Sequence, residues 1–391
     1  MAIQKDVTVY IGRFNPFHRG HAHVLKQALL TSKLVIVLVG SAGKSRSPKN
    51  PFLFNERREM IEAWEQSFEH DSRLVVLPLR DYASNNVWIK AAQATVRSAC
   101  NSDPALPKNP QVWITGSDRD DSTWYLRAFP QWKQDLVAPL QHKPGTADDL
   151  SATSVRAILY ESDLRSDDIT AMVGKLPPST VAFIDEFITM HRDVIDALRT
   201  EHRIIKESKA KWDPAPFKPT FMCADAVIIQ SGHVLMVQRA NQPGRGLWAL
   251  PGGYVNQAER VRDAAVREAE EETGIRLTTG KNAKDVTMKM LDGAIRANEF
   301  FDDPNRSERG RTFTMAYLMR LDDTKPLPSV SGQKIPYYEW AEHGITEANA
   351  DEAVETFAAE WKTLEWVAEN PEIIFEDHSQ IIEVMVSKMD A

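Results

Sequence analysis

GYVNQAERVRDAAVREAEEETGI, Gly253–Ile275, is the stretch from which the fold of half the chain can be read. It follows an apolar run, Leu247–Leu250, and shares its first residue with a Pro-Gly-Gly turn, Pro251–Gly253. Its spacing predicts a helix that stops at Gly274, a residue suited to the left-handed cap position. On such a helix Val261, Ala264, Ala265 and Ala269 form one apolar stripe. Glu268 and Glu272 project into that stripe, and Glu270 points the opposite way. A charge run is ordinarily a solvated face, and that reading suits Glu270. It does not suit Glu268 and Glu272, because two carboxylates on a burying side repel unless a cation compensates them. Oxygen ligands spaced i and i+4 favour a hard ion such as Mg²⁺. Arg267 can pair with Glu271 one turn on and hold the cluster in shape.

These residues resemble, position by position, the Nudix hydrolase signature G-x5-E-x7-R-E-U-x-E-E-x-G-U, where U is apolar. The matching residues are Gly253, Glu259, Arg267, Glu268, Ala269, Glu271, Glu272, Gly274 and Ile275. The resemblance implies hydrolysis of a nucleoside diphosphate linked to another moiety, dependent on Mg²⁺ or on Mn²⁺ in its place. It also implies Glu268 and Glu272 as catalytic metal ligands, with Glu271 next and a carbonyl from Gly252 or Gly253. The signature alone does not name the substrate.

The other half opens on DVTVYI, Asp6–Ile11, a short β-branched strand, followed by GRFNPFHRGH, Gly12–His21, and an apolar helix to about Leu30. Leu34–Val39, Leu74–Leu77 and Val112–Thr115 are further strand candidates, with helical patterns at Glu56–Phe68 and Val87–Cys100 between them. Strands alternating with helices predict a parallel sheet, in which ligands bind beyond the carboxyl ends of the strands. The informative loops follow the first, second and fourth strands: Gly12–His21, Gly40–Pro51 and Gly116–Asp120. His18 and His21, three apart at a helix start, put two imidazoles on one face. Helix-terminal amides there would face an anion.

A strand, GRFNPFHRGH and a helix together resemble the H-x-G-H nucleotidyltransferase superfamily, with His18 and His21 as its histidines. Ser151-Ala152-Thr153-Ser154-Val155-Arg156 resembles the S-x-T-x-x-R block of that family, in which hydroxyls and an arginine hold the outer phosphates. Thr153 or Ser154 would also serve there as an ordinary N-cap. Within the superfamily the likeness is to archaeal-type nicotinamide mononucleotide adenylyltransferases. It is carried by Gly12–His21, by Gly40–Ser45 with Asn50-Pro51-Phe52 and Glu56-Arg57, and by Asn85–Ile89. The resemblance implies that Asn86 and Trp88 receive the nicotinamide, the indole by cation–π attraction to the pyridinium. Trp88 as a plain core residue of its helix is the competing reading. Gly116, Asp118 and Arg119 resemble the G-x-D loop beside the adenosine, and Gly12 and Phe14 belong to the nucleotide loop.

The implied reaction joins ATP and nicotinamide mononucleotide into NAD and pyrophosphate. His18, His21, Arg13 and Arg156 are the catalytic candidates. Lys44 and Arg46 are either further phosphate contacts or a basic loop.

The chain of 391 residues is long enough for two or three domains. It contains no run of about 18 apolar residues, so a transmembrane helix is not expected. No charged and then apolar leader precedes the first strand, and Cys100 and Cys223 are too few for a disulfide framework, which together favour the cytoplasm. From Ala341 onward there are thirteen Asp or Glu against two Lys, a charge of −11. The rest of a chain of net charge −8 is then about +3. An acidic tail of this kind opposes nucleic-acid binding.

Leu176-Pro177-Pro178-Ser179 marks a break, and a helix is expected from about Thr180 towards Lys209. The proline-rich Trp212–Pro219 predicts a stiff, extended connector. The domains expected are therefore 1–195, a Rossmann-like parallel-sheet nucleotidyltransferase, then a linker at 196–218. The remainder, 219–391, is expected as a Nudix α/β/α sandwich, making the chain α/β throughout. Phe221–Ile229, Val234–Gln238, Val286–Leu291 and Phe313–Arg320 are its strand candidates. After Ala341 the chain reads as helical, with Phe357, Trp361, Leu364 and Val367 as an apolar stripe for packing or for a dimer through this half.

Phe300–Thr312 is a polar loop that resembles a segment of Nudix domains devoted to NAD-derived metabolites. It implies Arg309 and Arg311 as a bidentate grip on a diphosphate. The association of both resemblances points to ADP-ribose as the hydrolytic substrate, cleaved to AMP and ribose 5-phosphate. Two alternatives stay open on sequence: a ligand-sensing, non-catalytic Nudix half, and a different diphosphate or a different N-terminal acceptor.

Overall fold

The computed structural model describes residues 5–117, 121–140, 151–162, 172, 174–280, 282–331 and 356–389. The chain divides into two compact units, Met1–Thr200 and Glu201–Ala391.

In the first unit, β1 (Lys5–Gly12), β2 (Ser32–Val39), β3 (Arg73–Pro78), β4 (Val112–Gly116) and β5 (Lys133–Leu136) form a parallel sheet in the order β3-β2-β1-β4-β5. Alternation along β2 shows why its sequence is a continuous apolar run. Val35, Val37 and Val39 pack on α1 (Arg19–Thr31) and α2 (Phe54–Glu65), whereas Leu34, Ile36 and Leu38 pack towards α3 (Asn85–Asn101). Both faces of such a sheet are covered by helices, so no polar face is needed. Each fully buried side chain of this kind contributes about 1.5–3 kcal/mol. The strand order reverses between β1 and β4, which opens a crevice beyond their carboxyl ends. After α4 (Ala152–Glu161), the single helix expected from Thr180 is instead two: α5 (Pro178–Met190) and α6 (Arg192–Ala210). The break lies at His191, whose φ of −128° and ψ of 46° leave the helical region.

The second unit is built on a mixed sheet. Its strands are β6 (Thr220–Gln230), β7 (His233–Arg239), β8 (Trp248–Ala249), β9 (Gly252–Tyr254), β10 (Ile295–Phe301), β11 (Arg311–Arg320) and β12 (Thr356–Thr363). They run in the order β10-β11-β6-β7-β12, with β8 on β7 and β9 on β6. β6 and β11 are parallel and the other pairs antiparallel. The β6–β7 hairpin turns on Ser231 (φ 49°) and Gly232 (φ 73°), the two positive values that a tight primed turn needs.

Ala224, Ala226 and Ile228 face α7 (Val261–Thr273) and α8 (Ala283–Gly293), while Val227 and Ile229 face α10 (His378–Ser387). The result is a sheet between helical layers. The stripe Val261, Ala264, Ala265 and Ala269 joins the first of these cores, and α7 ends at Gly274 with φ 57°.

Three expectations fail here. Val286–Leu291 lies within helix α8, since its short apolar run fits either period. Residues 356–363 form strand β12 beside β7, and a helix, α9 (Leu364–Glu369), starts only at Leu364. A spacing of four places Phe357 and Trp361 on one side of a strand as readily as of a helix. Glu270 is not solvated: it is 3% exposed and held by Arg276 (2.6 Å) and Lys284 (3.0 Å). Two basic side chains arriving from beyond the helix replace water for it, which spacing within α7 does not reveal. No helix among the described residues is long and apolar enough to cross a membrane.

Candidate active sites

The first pocket sits where the sheet order reverses and is lined by Tyr10, Gly12, His18, Gly20, His21, Ser117 and Tyr125, among others. Its floor is fixed by backbone. Phe14 adopts φ 51° and buries its ring over Gly12, where an added Cβ would meet that ring at 2.8 Å. Phe14 therefore stands behind the pocket, 1% exposed, with its ring edge against His21 (4.8 Å).

His18 is the N-cap of α1, its Nδ1 accepting from Gly20 N–H (3.1 Å) and His21 N–H (3.3 Å). His21 Nδ1 in turn accepts from His18 N–H at 3.3 Å. A neutral ring bound in this way carries its proton on Nε2. The two rings stack with centroids 3.5 Å apart. One expectation needs correcting. The first amides of α1 are already used, those of Gly20 and His21 by His18 and that of Arg19 by Lys175 O (3.0 Å). The amides expected to face an anion are thus already committed, and the two histidines line the pocket.

The surrounding loops are tied by a buried arginine, Arg57, which the sequence offered only as part of the family resemblance. Arg57, 2% exposed, donates to the carbonyls of Arg13 (2.8 Å), Gly40 (2.7 Å) and Ser41 (3.2 Å), joining the loops after β1 and β2. Arg13 is exposed at the strand end, its side chain beside Gly40. Arg156 donates to Asn15 O (2.9 Å) and Thr153 Oγ1 (3.1 Å), so it is brought to the same loop. The cap of α4 is Ser151, whose Oγ accepts from Ser154 N–H (3.1 Å), rather than Thr153 or Ser154. Arg46 is bound to Glu56 (2.7 Å) and Pro51 O (2.7 Å), a brace for its own loop.

Asn85 and Asn86 are exposed at the start of α3, and Trp88 is half-buried among Trp124 (5.7 Å), Tyr125 (6.3 Å) and Phe129 (6.1 Å). Tyr125 lines the pocket and donates to Ile11 O (3.0 Å), which links the aromatic group to it. Gly116 ends β4, while Asp118 and Arg119 lie outside the described residues. Ser117 Oγ is buried in the pocket wall without a hydrogen-bond partner among the described residues.

The second pocket lies in the sandwich unit and is lined by residues from well-separated segments: Asp225, Arg239, Gly252–Tyr254, Glu272, Arg306, Arg309 and Phe375–Glu376 with His378. Antiparallel register sets Gly252 opposite Asp225 and Gly253 opposite Ala224. A Cβ at Gly252 would stand 2.2 Å from Asp225 Oδ1, and one at Gly253 would stand 2.5 Å from Glu268 Oε1. The glycines thus let two carboxylates close onto the turn. Glu272 Oε2 accepts Gly252 N–H at 2.9 Å. Glu268 and Glu272 are 7% and 8% exposed, and Arg267 holds Glu268 (2.8 Å), Glu271 (3.0 Å) and Glu259 (2.7 Å) together. Among the described residues no three His, Cys, Asp or Glu side chains converge on one point as an ion cage would.

Of the two arginines expected to grip a diphosphate, Arg309 faces the pocket beside Tyr254 and Phe375. Arg311 does not. Thr312 and Thr314 point inward, so Arg311 takes the opposite face of β11, where it donates to Asp302 O (2.7 Å). The other arginines that line the pocket are Arg306 and Arg239, the latter 4.1 Å over the Phe375 ring.

Arg306 is bound by Asp377 through two hydrogen bonds, 3.0 and 2.9 Å. Removing one partner of such a buried pair costs about 3–5 kcal/mol. His378 Nδ1 accepts from Leu250 N–H (2.9 Å), and burial pulls its pKa down to about 4, keeping it neutral. Burial also pushes Glu376 above the usual carboxylate range, against the pull of Arg309 and Ser307. These residues were missed because nothing in their own spacing joins them. The only local signal was the compact run Phe375-Glu376-Asp377-His378 before an apolar helix.

Residues 9–156 match the cytidylyltransferase-like family model and residues 220–382 the NUDIX domain model. Over 182 residues the chain is 31% identical to a nicotinamide/nicotinic acid mononucleotide adenylyltransferase of Acinetobacter baylyi, covering 46% of this chain and 86% of that one. It is 42% identical over 81 residues to the nicotinamide-nucleotide adenylyltransferase of Saccharolobus solfataricus, 20% of this chain and 47% of that enzyme. Among solved structures, the bifunctional NMN adenylyltransferase/ADP ribose pyrophosphatase of Francisella tularensis, complexed with AMP and a Mn ion, is 31% identical. The match covers 98% of this chain and 99% of that one, with a TM-score of 0.80. The chain belongs to the nicotinamide mononucleotide adenylyltransferase family, in the group that carries a Nudix domain in the same polypeptide.

Proposed function

We propose that the first unit transfers the adenylyl group of ATP to nicotinamide mononucleotide, giving NAD and pyrophosphate, and that the second hydrolyses ADP-ribose to AMP and ribose 5-phosphate. The observation that carries this reading is that one chain holds both pockets and aligns along nearly its whole length with a protein named for both activities.

In the first pocket the 5′-phosphate of the mononucleotide attacks the α-phosphorus of ATP and pyrophosphate leaves, so no protein nucleophile is required. His18 and His21 supply Nε2–H donors to phosphate oxygens whose charge grows as pyrophosphate departs. Arg13 and Arg156 bind outer phosphates, with Ser151 and Thr153 at the start of α4. Trp88 and Asn86 receive the nicotinamide, and Gly116, Asp118 and Arg119 receive the adenosine. Catalysis here is positioning and charge stabilisation.

In the second pocket Arg309, Arg306 and Arg239 surround the diphosphate. The donor chemistry suits a hard divalent cation: Glu268, Glu272 and Glu271 with the Gly252 carbonyl offer oxygen only, and Glu268 and Glu272 both close on the Gly252–Gly253 turn, although no three carboxylates among the described residues converge on one point. These residues would hold Mg²⁺, or Mn²⁺ in its place. When bound, such an ion draws charge from the phosphoryl oxygens and acidifies water. The reading also includes a cytoplasmic location, association of two chains through the Nudix half, and no nucleic-acid partner.

Chromatography of products decides it: NAD from ATP and nicotinamide mononucleotide, and AMP from ADP-ribose within a panel of nucleoside diphosphates, each with Mg²⁺. Failure of either product to form removes that half of the reading.

A further inference from the structure

One face of β6 carries Cys223, Asp225, Val227 and Ile229, and the last two enter the core against α10. Asp225 is therefore a carboxylate where strand alternation otherwise puts apolar side chains. It is 4% exposed and lines the second pocket beside Gly252 and Glu272. Thr314 of β11 donates to its Oδ2 at 2.6 Å. Its Oδ1 lies against Gly252, where an added Cβ would stand 2.2 Å away, and accepts no hydrogen bond among the described residues. Donors lining the same pocket are turned elsewhere. Gly252 N–H goes to Glu272, Leu250 N–H to His378, and Arg306 binds Asp377 twice. An asparagine would keep the Thr314 contact without burying a charge, so the open, charged oxygen is the feature to explain.

We propose that Asp225 is a specificity residue of the hydrolytic half, its Oδ1 accepting from a hydroxyl of a pentose beside the diphosphate. This deepens the hydrolase reading above and rests on it. A carboxylate repels phosphate oxygens, so its partner in this pocket is a hydrogen-bond donor. Arg239, Arg306 and Arg309 line the same pocket and supply positive charge for the diphosphate. Contact with the Gly252 turn, beside Glu272, puts Asp225 at the diphosphate rather than out at the base. The groups joined to such a diphosphate through a single methylene are pentoses, and their vicinal hydroxyls are the donors within reach. A hydroxyl bonded to a buried charge is held strongly, and an analogue lacking it leaves that charge unpaired, so the contact selects. The adenosine ribose and the terminal ribose both carry vicinal hydroxyls, and the choice of analogues separates them.

The test uses the full-length chain with Mg²⁺ and three diphosphates. They are ADP-ribose, its 2′,3′-dideoxyadenosine form, and ADP carrying a pentyl ester in place of the terminal ribose. Wild type is expected to favour ADP-ribose over one of the two analogues by about 10–100-fold in kcat/KM, and the analogue that suffers names the pentose. Asp225→Ala should reduce that preference to within about threefold, and Asp225→Asn, which still accepts, should keep an intermediate one. Calorimetry of AMP against 2′,3′-dideoxy-AMP reads the adenosine arm without turnover. Absence of any preference in the wild type overturns the assignment before a variant is made. A preference that survives in Asp225→Ala also overturns it, since another residue then holds the hydroxyl. So does a loss in Asp225→Asn that falls equally on all three substrates, which would make the carboxylate a support for the fold or for the ion. If another diphosphate of the panel is cleaved and ADP-ribose is not, the substrate reading falls. The same comparison between hydroxylated and deoxy forms of that compound still decides Asp225.

Discussion

On the function proposed above, the two pockets take the same kind of ligand, a phosphate chain, with opposite constructions. The first takes its two histidines from one continuous stretch, Gly12–His21, placed by a strand and a helix that are neighbours in sequence, and adds Ser117, Tyr125 and Arg156 around them. The second gathers Asp225, Arg239, Glu272, Arg309 and Glu376 from β6, β7, α7 and two loops, and buries their charges against one another. The histidine pair is set by local cap geometry, and only its loops depend on distant residues, Arg57 and Arg156. A dispersed site needs the whole sandwich in register, and each charge depends on a partner far away in sequence. Perturbing the dispersed site should therefore have the larger consequences, and should leave the contiguous one untouched.

The sharpest break of that contrast is Glu272→Gln. It should reduce ADP-ribose hydrolysis by about 10³-fold or more, since an oxygen ligand of full charge is replaced by a neutral amide. NAD formation should stay within about twofold. Parallel loss of both activities in one preparation would mean that the two sites are not independent.

His18 is next, because cap and chemistry share one ring. His18→Asn keeps an acceptor for the Gly20 and His21 amides but removes the Nε2 donor. Adenylyl transfer should fall about 10²-fold with the melting temperature unchanged. His18→Ala should lose the same activity and a further ~1 kcal/mol of stability. If Asn restores activity, the imidazole is a cap alone. A smaller effect separates the two loop arginines: Arg309→Ala should raise KM for ADP-ribose about tenfold or more, and Arg311→Ala should leave it within about threefold. Equal effects would show that the inward and outward faces of β11 do not decide the grip.

How much of this was legible follows the same division. The parallel sheet and the helix Val261–Thr273 are encoded by local period, and the two histidines by the motif between strand and helix, so these elements could be read directly. Glu268 and Glu272 could be assigned to the burying face because α7 itself sets it. Glu270 could not, since its burial is made possible by Arg276 and Lys284 from outside the helix. Arg309 was within reach because its loop is distinctive, yet Arg311 was credited equally until strand alternation placed it outside. Asp225, Arg239 and Glu376 were invisible, because each matters only through residues brought near by the fold. Strand β12 failed for a simpler reason: residues four apart satisfy both periods.

The smallest effect expected on turnover comes from a residue that the sequence placed in the linker. Glu201, on α6, is 8% exposed, accepts the Gly244 amide and faces Glu308, Glu376 and Arg239. Burial first, then Glu308, pushes its pKa from 4.5 up to about 7. An acid whose folded pKa is raised prefers its proton in the folded state. Its penalty is absent below about pH 4.5, where both states are protonated, and grows as pH rises. It is complete above about 7, where it amounts to roughly 3 kcal/mol. Glu201→Gln, which keeps an acceptor for Gly244 and mimics the protonated form, should therefore stabilise the Nudix half at pH 8 by about 2–3 kcal/mol and do little at pH 4.5. The urea midpoint for loss of ADP-ribose cleavage at pH 8, compared with a structural probe of that half at pH 4.5, reads this directly. A gain equal at both pH values would show that Glu201 acts by packing. No gain would show that its carboxylate is solvated, and that α6 contributes nothing to the charge balance of the dispersed site.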